Sequence, residues 1–312
     1  MNNNEIFLSS RYFLSILFGL KSQNRNMEKE QKNKIRPKQK QKRPGLEKNM
    51  TPVPETRPLD YPDGKLRNKV ALITGGDSGI GKAVALLFAK EGADIVIAYL
   101  DETSDAKKTQ EEVEEYGVKC TLIKGDLSKE KNCQKVISQT IKKHGKLDIV
   151  INNAALHWDA ETIEDITTDQ MVRTFENNFY SYFWIVKYAV PHLKKGSCII
   201  NTSSVTAYRG SPNLIDYAST KGAIISFTRS LSSNLVDKGI RVNAVAPGPI
   251  WTPLITSSFD EEKNAEFGSD SPMQRAGMPN EVAPSFLFLA SDDSSFMTGQ
   301  VLHPNGGEII NG

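Results

Sequence analysis

The chain has 312 residues, of which 24% are charged and 38% are hydrophobic, and its net charge is +2. These values are typical of a globular protein with one main domain. The three cysteines, Cys120, Cys133 and Cys198, show no CxxC or Cys/His spacing, which argues against a disulfide framework or a zinc site. We therefore expect no bound metal and a cytoplasmic protein.

Residues 1–50 form a basic segment with little apolar content apart from "RYFLSILFGL". That run is far shorter than the roughly 20 residues of a membrane span. Residues 21–50 carry eleven Lys or Arg against three Glu, and a stretch such as "KNKIRPKQKQKRPG" has almost nothing to bury. We predict a disordered tail with no membrane and no nucleic-acid partner.

Residues 51–69, which begin "TPVPETRPLDYPDG", contain too many prolines for a helix. We predict an extended arm over the surface of the domain that follows.

From Val70 onward, short β-branched runs alternate with amphipathic stretches of helical length. The strand candidates are "VALIT", "DIVIAYL", "CTLIKG", "LDIVINN", "SCIINTSS", "RVNAVAP" and "QVLHP". Continuous apolar strands separated by helices indicate a parallel sheet that is covered on both faces. Residues 70–312 are therefore predicted to form a single α/β domain with a doubly wound, parallel, seven-stranded Rossmann sheet.

The turn "TGGDSGIGKA" after the first strand fits two phosphate-binding patterns. Gly76, Gly81 and Lys82 match the start of a Walker loop, but Ala83 stands where that loop needs a Ser or Thr to ligate Mg²⁺. In a strand-to-helix turn, glycines allow close backbone approach to a pyrophosphate at the helix N-terminus. The dinucleotide interpretation is therefore favoured, although a purely structural turn could use the same residues.

The spacing of Thr74, Gly75, Gly79 and Gly81 resembles the cofactor turn of the short-chain dehydrogenase/reductase family. From about residue 65 to the C-terminus, further segments resemble that family in order. "KGDLS" with Asp126 is similar to its adenine-side acid, and "NNAA" at 152–155 is similar to its N-N-A-G strand end. Ala155 replaces the usual glycine, and Asn305 stands where the family often has Asp.

Tyr217 and Lys221 in "YASTK" lie four residues apart and would share one face of a helix. A free tyrosine has a pKa of about 10, and an adjacent ammonium favours the phenolate and lowers that pKa. Such a pair can therefore exchange a proton with a substrate. In isolation, a tyrosine and a lysine at this spacing are more often an ordinary surface pair.

Two other residues complete the catalytic set that the resemblance implies. Ser204, at the end of "CIINTSS", corresponds to the family's substrate-binding serine, and Asn178 to a helix asparagine in a proton relay. Asn177 is the alternative to Asn178. The resemblance implies hydride transfer between a nicotinamide cofactor and an alcohol or carbonyl substrate. It assigns Lys221 a second role at the nicotinamide ribose.

The predicted cofactor contacts follow the glycine turn, the strand ends and "APGPIWTP". They are Gly75, Asp77, Ser78, Gly79, Ile80, Gly81, Tyr99, Leu100, Asp101, Asp126, Leu127, Asn153, Ala154, Ala155, Tyr217, Lys221, Pro247, Gly248, Ile250 and Thr252.

The end of the second strand, "IVIAYLDE", decides between NAD and NADP, because an acid there accepts the ribose 2′-hydroxyl and a base receives a 2′-phosphate. Neither Ser78 nor Leu100 is basic, and Asp101 and Glu102 would repel a phosphate. We therefore predict NAD, with NADP as the alternative.

The substrate is poorly specified. Residues 251–277 are a candidate lid, and His157, Trp158, Tyr208 and Trp251 are candidates either for the pocket wall or for packing.

The proline-rich arm resembles a bacterial subgroup of glucose/ribitol-type or general-stress dehydrogenases. The family resemblance also implies a homotetramer. A nicotinamide-binding redox sensor without turnover is the competing function.

Overall fold

Seven parallel strands form the central sheet of the computed structural model, which describes residues 62–310. The strands are β1 Val70–Thr74, β2 Asp94–Tyr99, β3 Cys120–Lys124, β4 Ile149–Asn152, β5 Cys198–Thr202, β6 Arg241–Val245 and β7 Val301–Leu302. Their order is β3-β2-β1-β4-β5-β6-β7, and every neighbouring pair is parallel. This confirms the predicted doubly wound sheet, and the described residues belong to one compact unit.

Helices cover both faces of the sheet. They are α1 Gly79–Lys90, α2 Thr103–Glu114, α3 Glu130–His144, α4 Thr168–Phe175, α5 Ser181–Ala189, α6 Thr206–Arg209, α7 Ile215–Leu235, α8 Pro253–Ser258, α9 Glu261–Glu266 and α10 Pro279–Ala290. A π-helical turn, Glu176–Tyr180, joins α4 to α5. None of the helices in the described part of the chain is long and apolar enough to cross a membrane.

The core has two layers because side chains of one strand alternate between the two sheet faces. Ala71 and Ile73 of β1 pack on one face with α1, α2 and α10. Val70 and Leu72 pack on the other face with α3 and α5. Each strand is therefore apolar on both sides, which explains the continuous hydrophobic runs in the sequence.

The predicted tail, 1–50, lies outside the described residues, as does most of the predicted arm, 51–69. The described end of that arm consists of turns rather than extended chain. Leu66 is fully buried, and its backbone N–H donates to the carbonyl of Glu91 at 2.9 Å. This apolar residue holds the chain against the end of α1.

The carboxyl ends of all seven strands lie along one edge of the sheet. The order of the strands reverses between β1 and β4, and such a reversal opens a crevice that binds ligands in α/β sheets. The glycine turn follows β1 directly, and "NNAA" follows β4. These two segments, both singled out from the sequence, therefore meet at this crevice.

Candidate active site

The three glycines of the turn after β1 are required by the backbone. Gly75 and Gly79 have φ values of +62° and +53°, which favour glycine. A Cβ on Gly81 would lie 2.0 Å from the carbonyl oxygen of Gly75. The turn is thus tight enough to bring its backbone against a ligand.

The N-terminus of α1 is open to an anion. Its N-cap residue, Ser78, makes no side-chain capping bond, and its first turn contains no acidic residue. The first N–H groups of such a helix point outward and carry a partial positive charge. Lys82, the lysine of the alternative Walker pattern, instead pairs with Glu112 of α2 at 2.8 Å.

The strand end after β4 is fastened to the glycine turn. The Thr74 hydroxyl accepts hydrogen bonds from the backbone N–H of Asn153 at 2.9 Å and of Ala154 at 3.1 Å. The Asn153 amide donates to the carbonyls of Thr74 and Gly75, each at 3.1 Å. Asn153, Ala154 and the adjoining Ala155 therefore lie beside the turn, and they border the crevice.

The acids after β2 have a partner that the sequence interpretation missed. Tyr99 is buried and Leu100 is exposed, and the Asp101 carboxylate forms an ion pair with Lys124 at the end of β3. The hydrogen bond and charge of Lys124 lower the pKa of Asp101. The register that places Tyr99 opposite Lys124 brings this base to the region where Asp101 and Glu102 alone were expected to act.

Three other predicted cofactor residues lie in the loops around this crevice. Asp77 is 7% exposed, and burial raises the pKa of its carboxyl. Asp126 accepts a hydrogen bond from the backbone N–H of Ser128 at 2.9 Å, which closes the turn after β3. Leu127 in that turn is buried.

The segment after β6 returns to the glycine turn. A Cβ on Gly79 would lie 3.1 Å from Cγ2 of Thr252, so this threonine lies directly against the turn. The carbonyl of Pro247 accepts a hydrogen bond from the backbone N–H of Val205 at 3.1 Å, which ties the segment to the loop after β5. Gly248 packs on the backbone of Asn305, leaving no room for a side chain.

Ile250 is buried in the same segment, and it pairs with Gly277 in an isolated β-bridge. Asn305 accepts from the N–H of Gly307 at 3.1 Å and donates to the carbonyl of Glu308 at 2.7 Å. These bonds close its own turn.

Tyr217 and Lys221 lie on one face of α7, next to the end of β5. Lys221 is 1% exposed, and its ammonium donates to the carbonyl of Thr202 at 2.9 Å. The same Nζ lies 5.3 Å from the centre of the Tyr217 ring. Ser204 is buried beside them, and its side chain hydrogen-bonds Tyr217. The structure thus brings the three residues together.

The pKa values of this pair differ from the expectation that the ammonium lowers the pKa of the tyrosine. Burial raises the pKa of Tyr217 to about 12, and the hydrogen bond from Ser204 only partly opposes the shift. Burial also lowers the pKa of Lys221 to about 7. Removing both groups from water disfavours both charged forms, and this effect is the largest one on each pKa.

Asn178 is fully buried within the π-helical turn, a feature that is common at functional sites. Its side chain accepts from the N–H of Leu156 at 2.9 Å and donates to the carbonyl of Leu156 at 2.8 Å. It also donates to the Thr220 hydroxyl at 3.3 Å, between Tyr217 and Lys221 in sequence. The side chain of Asn177, the alternative, donates to the carbonyl of Arg173 at 3.0 Å, one turn earlier.

Asp216 is a buried carboxylate that the sequence interpretation did not single out. It is 4% exposed, and it accepts hydrogen bonds from Thr174 at 2.7 Å, from Gln170 at 3.3 Å and from the backbone N–H of Tyr217 at 2.8 Å. The residue therefore fixes the start of α7 against α4 and positions the tyrosine. Only its place beside Tyr217 could have indicated this role.

The lid candidate, residues 251–277, contains the short helices α8 and α9 rather than a simple loop. Of the four candidate pocket residues, His157 contacts the catalytic set, with its ring centre 5.1 Å from that of Tyr217. The other three contact different residues. Arg173 lies over the ring of Trp158, and the ring of Tyr208 packs on that of His303. The ring centre of Trp251 lies 6.4 Å from that of Phe267.

Comparison with known proteins identifies relatives of this chain. The sequence model of the family described as "Enoyl-(Acyl carrier protein) reductase" matches residues 75–308. General stress protein 39 of Bacillus subtilis is 55% identical over 270 residues, which cover 86% of this chain and 94% of the relative. The glucose and ribitol dehydrogenase of Daucus carota is 48% identical over 88% of this chain and 97% of its own.

A solved structure shows the same architecture. It is a short-chain dehydrogenase from Burkholderia cenocepacia in complex with NADP, which is 29% identical and superposes with a TM-score of 0.74. The match covers 78% of this chain and 99% of that one. With the parallel sheet, the glycine turn and the grouping of Ser204, Tyr217 and Lys221, these matches show that the chain is an oxidoreductase that belongs to the short-chain dehydrogenase/reductase family.

Proposed function

We propose that the protein transfers a hydride between a nicotinamide cofactor and an alcohol or carbonyl substrate. The observation that carries this proposal is the placement of Ser204, Tyr217 and Lys221 together at the end of β5. Their site borders a glycine turn and the uncapped N-terminus of α1. A protein that only sensed nucleotide would need the turn but not this proton-donating group.

The residues around the crevice fit a dinucleotide. The close approach of Gly81 to Gly75 and the free N–H groups of α1 suit a pyrophosphate. We expect Asp126 and Asn153 to border the adenosine half, and Ile250 and Thr252 to border the nicotinamide half. A bound nicotinamide ring would supply the hydride acceptor or donor.

The protein's part in the reaction is to hold the reacting oxygen and move its proton. With a pKa of about 12, Tyr217 keeps its proton at neutral pH and can donate it to a carbonyl oxygen as negative charge develops there. Ser204 donates a second hydrogen bond to that oxygen. Lys221 stabilises the resulting phenolate and binds the ribose, while Asn178 fixes the loop beside them.

The test is a cofactor-binding titration combined with absorbance-monitored turnover of a panel of alcohols and carbonyl compounds. We expect both binding and hydride transfer. Cofactor binding without transfer to or from any member of the panel would favour the redox sensor.

The cofactor preference is a separate prediction. We expect NAD to bind more tightly than NADP, because the acids Asp101 and Glu102 follow the end of β2, where the ribose is expected to bind. Lys124 reduces the difference between the affinities for NAD and NADP, because it neutralises the charge of Asp101. Leu100→Arg should shift the ratio of affinities toward NADP by about 10-fold or more, since a guanidinium makes strong charge-assisted bonds to phosphate. Lys124→Ala should shift the ratio toward NAD.

Isothermal calorimetry of the three proteins with both cofactors measures these ratios directly. Tighter binding of NADP to the unmodified protein, a cofactor found in the Burkholderia cenocepacia relative, would overturn the predicted preference.

We propose the homotetramer that the family resemblance implies, and exposed apolar side chains on α4, the π-helical turn and α5 support a subunit contact there. Met171, Val172, Tyr180 and Phe183 are each 42–47% exposed. Side chains of this kind on neighbouring turns are commonly covered by a partner subunit. We expect a tetrameric mass by light scattering, both for the full chain and for a chain that begins at Thr51.

A monomeric mass for both proteins would refute the assembly. A tetramer that is lost only on shortening would instead assign residues 1–50 a role in assembly.

A further inference from the structure

His157 is a buried histidine that lies against the proposed proton-donating tyrosine. It is 5% exposed, and its ring meets that of Tyr217 edge to face, with centres 5.1 Å apart and planes inclined by 68°. Its Nδ1 is buried and has no hydrogen-bond partner among the described residues, 62–310. Buried polar atoms without a partner are uncommon in proteins and call for a specific explanation.

The imidazole is neutral at physiological pH. Burial lowers its pKa to about 4, the charge of Lys221 acts in the same direction, and Asp159 and Asp216 oppose both only in part. A neutral imidazole offers one N–H donor and one nitrogen acceptor. It can therefore bond a hydroxyl or carbonyl oxygen without bringing a second cation into the site.

The backbone of His157 is held between the catalytic helix and the lid candidate. Its carbonyl accepts a hydrogen bond from the Ser258 hydroxyl at 3.3 Å, and its ring lies 5.4 Å from that of Phe259. The neighbouring Asp159 forms an ion pair with Lys263. The ring is thus fixed in place, as a specific contact to a ligand requires.

Two residues flank the ring of Tyr217. The Nζ of Lys221 lies 5.3 Å from the centre of that ring, and the centre of the His157 ring lies 5.1 Å from it. We expect a substrate whose reacting oxygen is bound by Tyr217 and Ser204 to hold the carbon next to the reacting carbon near His157.

We propose that His157 is a specificity-determining residue that hydrogen-bonds an oxygen on the substrate carbon adjacent to the reacting carbon. The protein then selects α-hydroxy carbonyl compounds and vicinal diols over monofunctional aldehydes and alcohols. This inference rests on the proposed oxidoreductase function and adds a residue and a selection rule to it.

The kinetic test compares 2-hydroxypropanal with propanal, which differ only by the adjacent hydroxyl. We expect His157→Phe to lower kcat/KM for 2-hydroxypropanal by about 10- to 100-fold, mainly through KM, because one hydrogen bond is lost. In the same variant, kcat/KM for propanal should change by less than about threefold. His157→Gln should retain most of the preference, because an amide also donates and accepts.

Cofactor affinity, measured by calorimetry, should be the same in both variants and the unmodified protein. If His157 only packs against Tyr217 and Phe259, His157→Phe will either leave kcat/KM unchanged for both aldehydes or lower it by the same factor for both. Either result overturns the proposal.

A second measurement does not depend on turnover. In ¹⁵N-histidine-labelled protein with bound cofactor, 1,2-propanediol should shift the ring resonances of His157, and 1-propanol should not. Equal effects of the two alcohols, or none from the diol, would contradict the role of His157. A diol-specific shift in a protein that turns over neither aldehyde would support this inference while the proposed function fails.

Discussion

Replacing Tyr217 with phenylalanine should lower kcat for any accepted substrate by about 10²–10⁴-fold, the usual contribution of a general acid or base. The substitution removes the transferable proton but keeps the ring that packs edge-on against His157. Cofactor affinity should change little, because Lys221 and the glycine turn are untouched. Steady-state kinetics and a cofactor titration on the same preparation measure the two effects.

Tyr116→Phe is a suitable control, because this tyrosine is 49% exposed beyond the end of α2. The kcat and KM of Tyr116→Phe should equal those of the unmodified protein. Turnover near that of the unmodified protein in Tyr217→Phe would show that another group moves the proton. Equal loss of cofactor binding and turnover would indicate damage to the fold instead.

Lys221→Met should damage both cofactor binding and catalysis. The ammonium is proposed to bind the ribose and to stabilise the phenolate, and a hydrogen bond from a charged group contributes about 1.5–3 kcal/mol. We therefore expect cofactor affinity to fall by about 10- to 100-fold, with a further loss in kcat. An unchanged cofactor Kd would remove the proposed ribose contact.

The same variant should be more stable than the unmodified protein at pH 7, by about 1–3 kcal/mol, because it removes a buried ammonium. Burial lowers the pKa of Lys221 to about 7, whereas an unfolded lysine has a pKa of about 10.4. Between these values the unfolded state binds more protons, so the stability of the unmodified protein rises with pH. The advantage of Lys221→Met should therefore be largest at or below pH 7 and disappear by about pH 10.

Denaturant unfolding at several pH values tests this sign. Lys90→Met, at an exposed lysine that ends α1, serves as the control and should show no comparable pH-dependent advantage. A Lys221→Met protein that is less stable at pH 7 would mean that the bond to the Thr202 carbonyl outweighs the cost of burying the charge.

Several features of the site depend on contacts between distant residues and could not be predicted from local patterns. Asp216 meets Thr174 across two helices, and Lys124 reaches Asp101 only because β2 and β3 pair in register. The lid helices α8 and α9 have six residues each, which is too short for a reliable hydrophobic period.

The sequence by itself determined where the strands lie along the chain, the glycine turn and the position of Tyr217 and Lys221 on one face of a helix. These depend on neighbours within a few residues, where periodicity and backbone conformation act directly. The tertiary structure alone decided the direction of the Tyr217 pKa and the position of His157 beside it. The direction of that pKa shift follows from the exclusion of water around Tyr217, and the position of His157 follows from the packing of the loop after β4 against α7. Both are properties of the packed fold rather than of the local sequence.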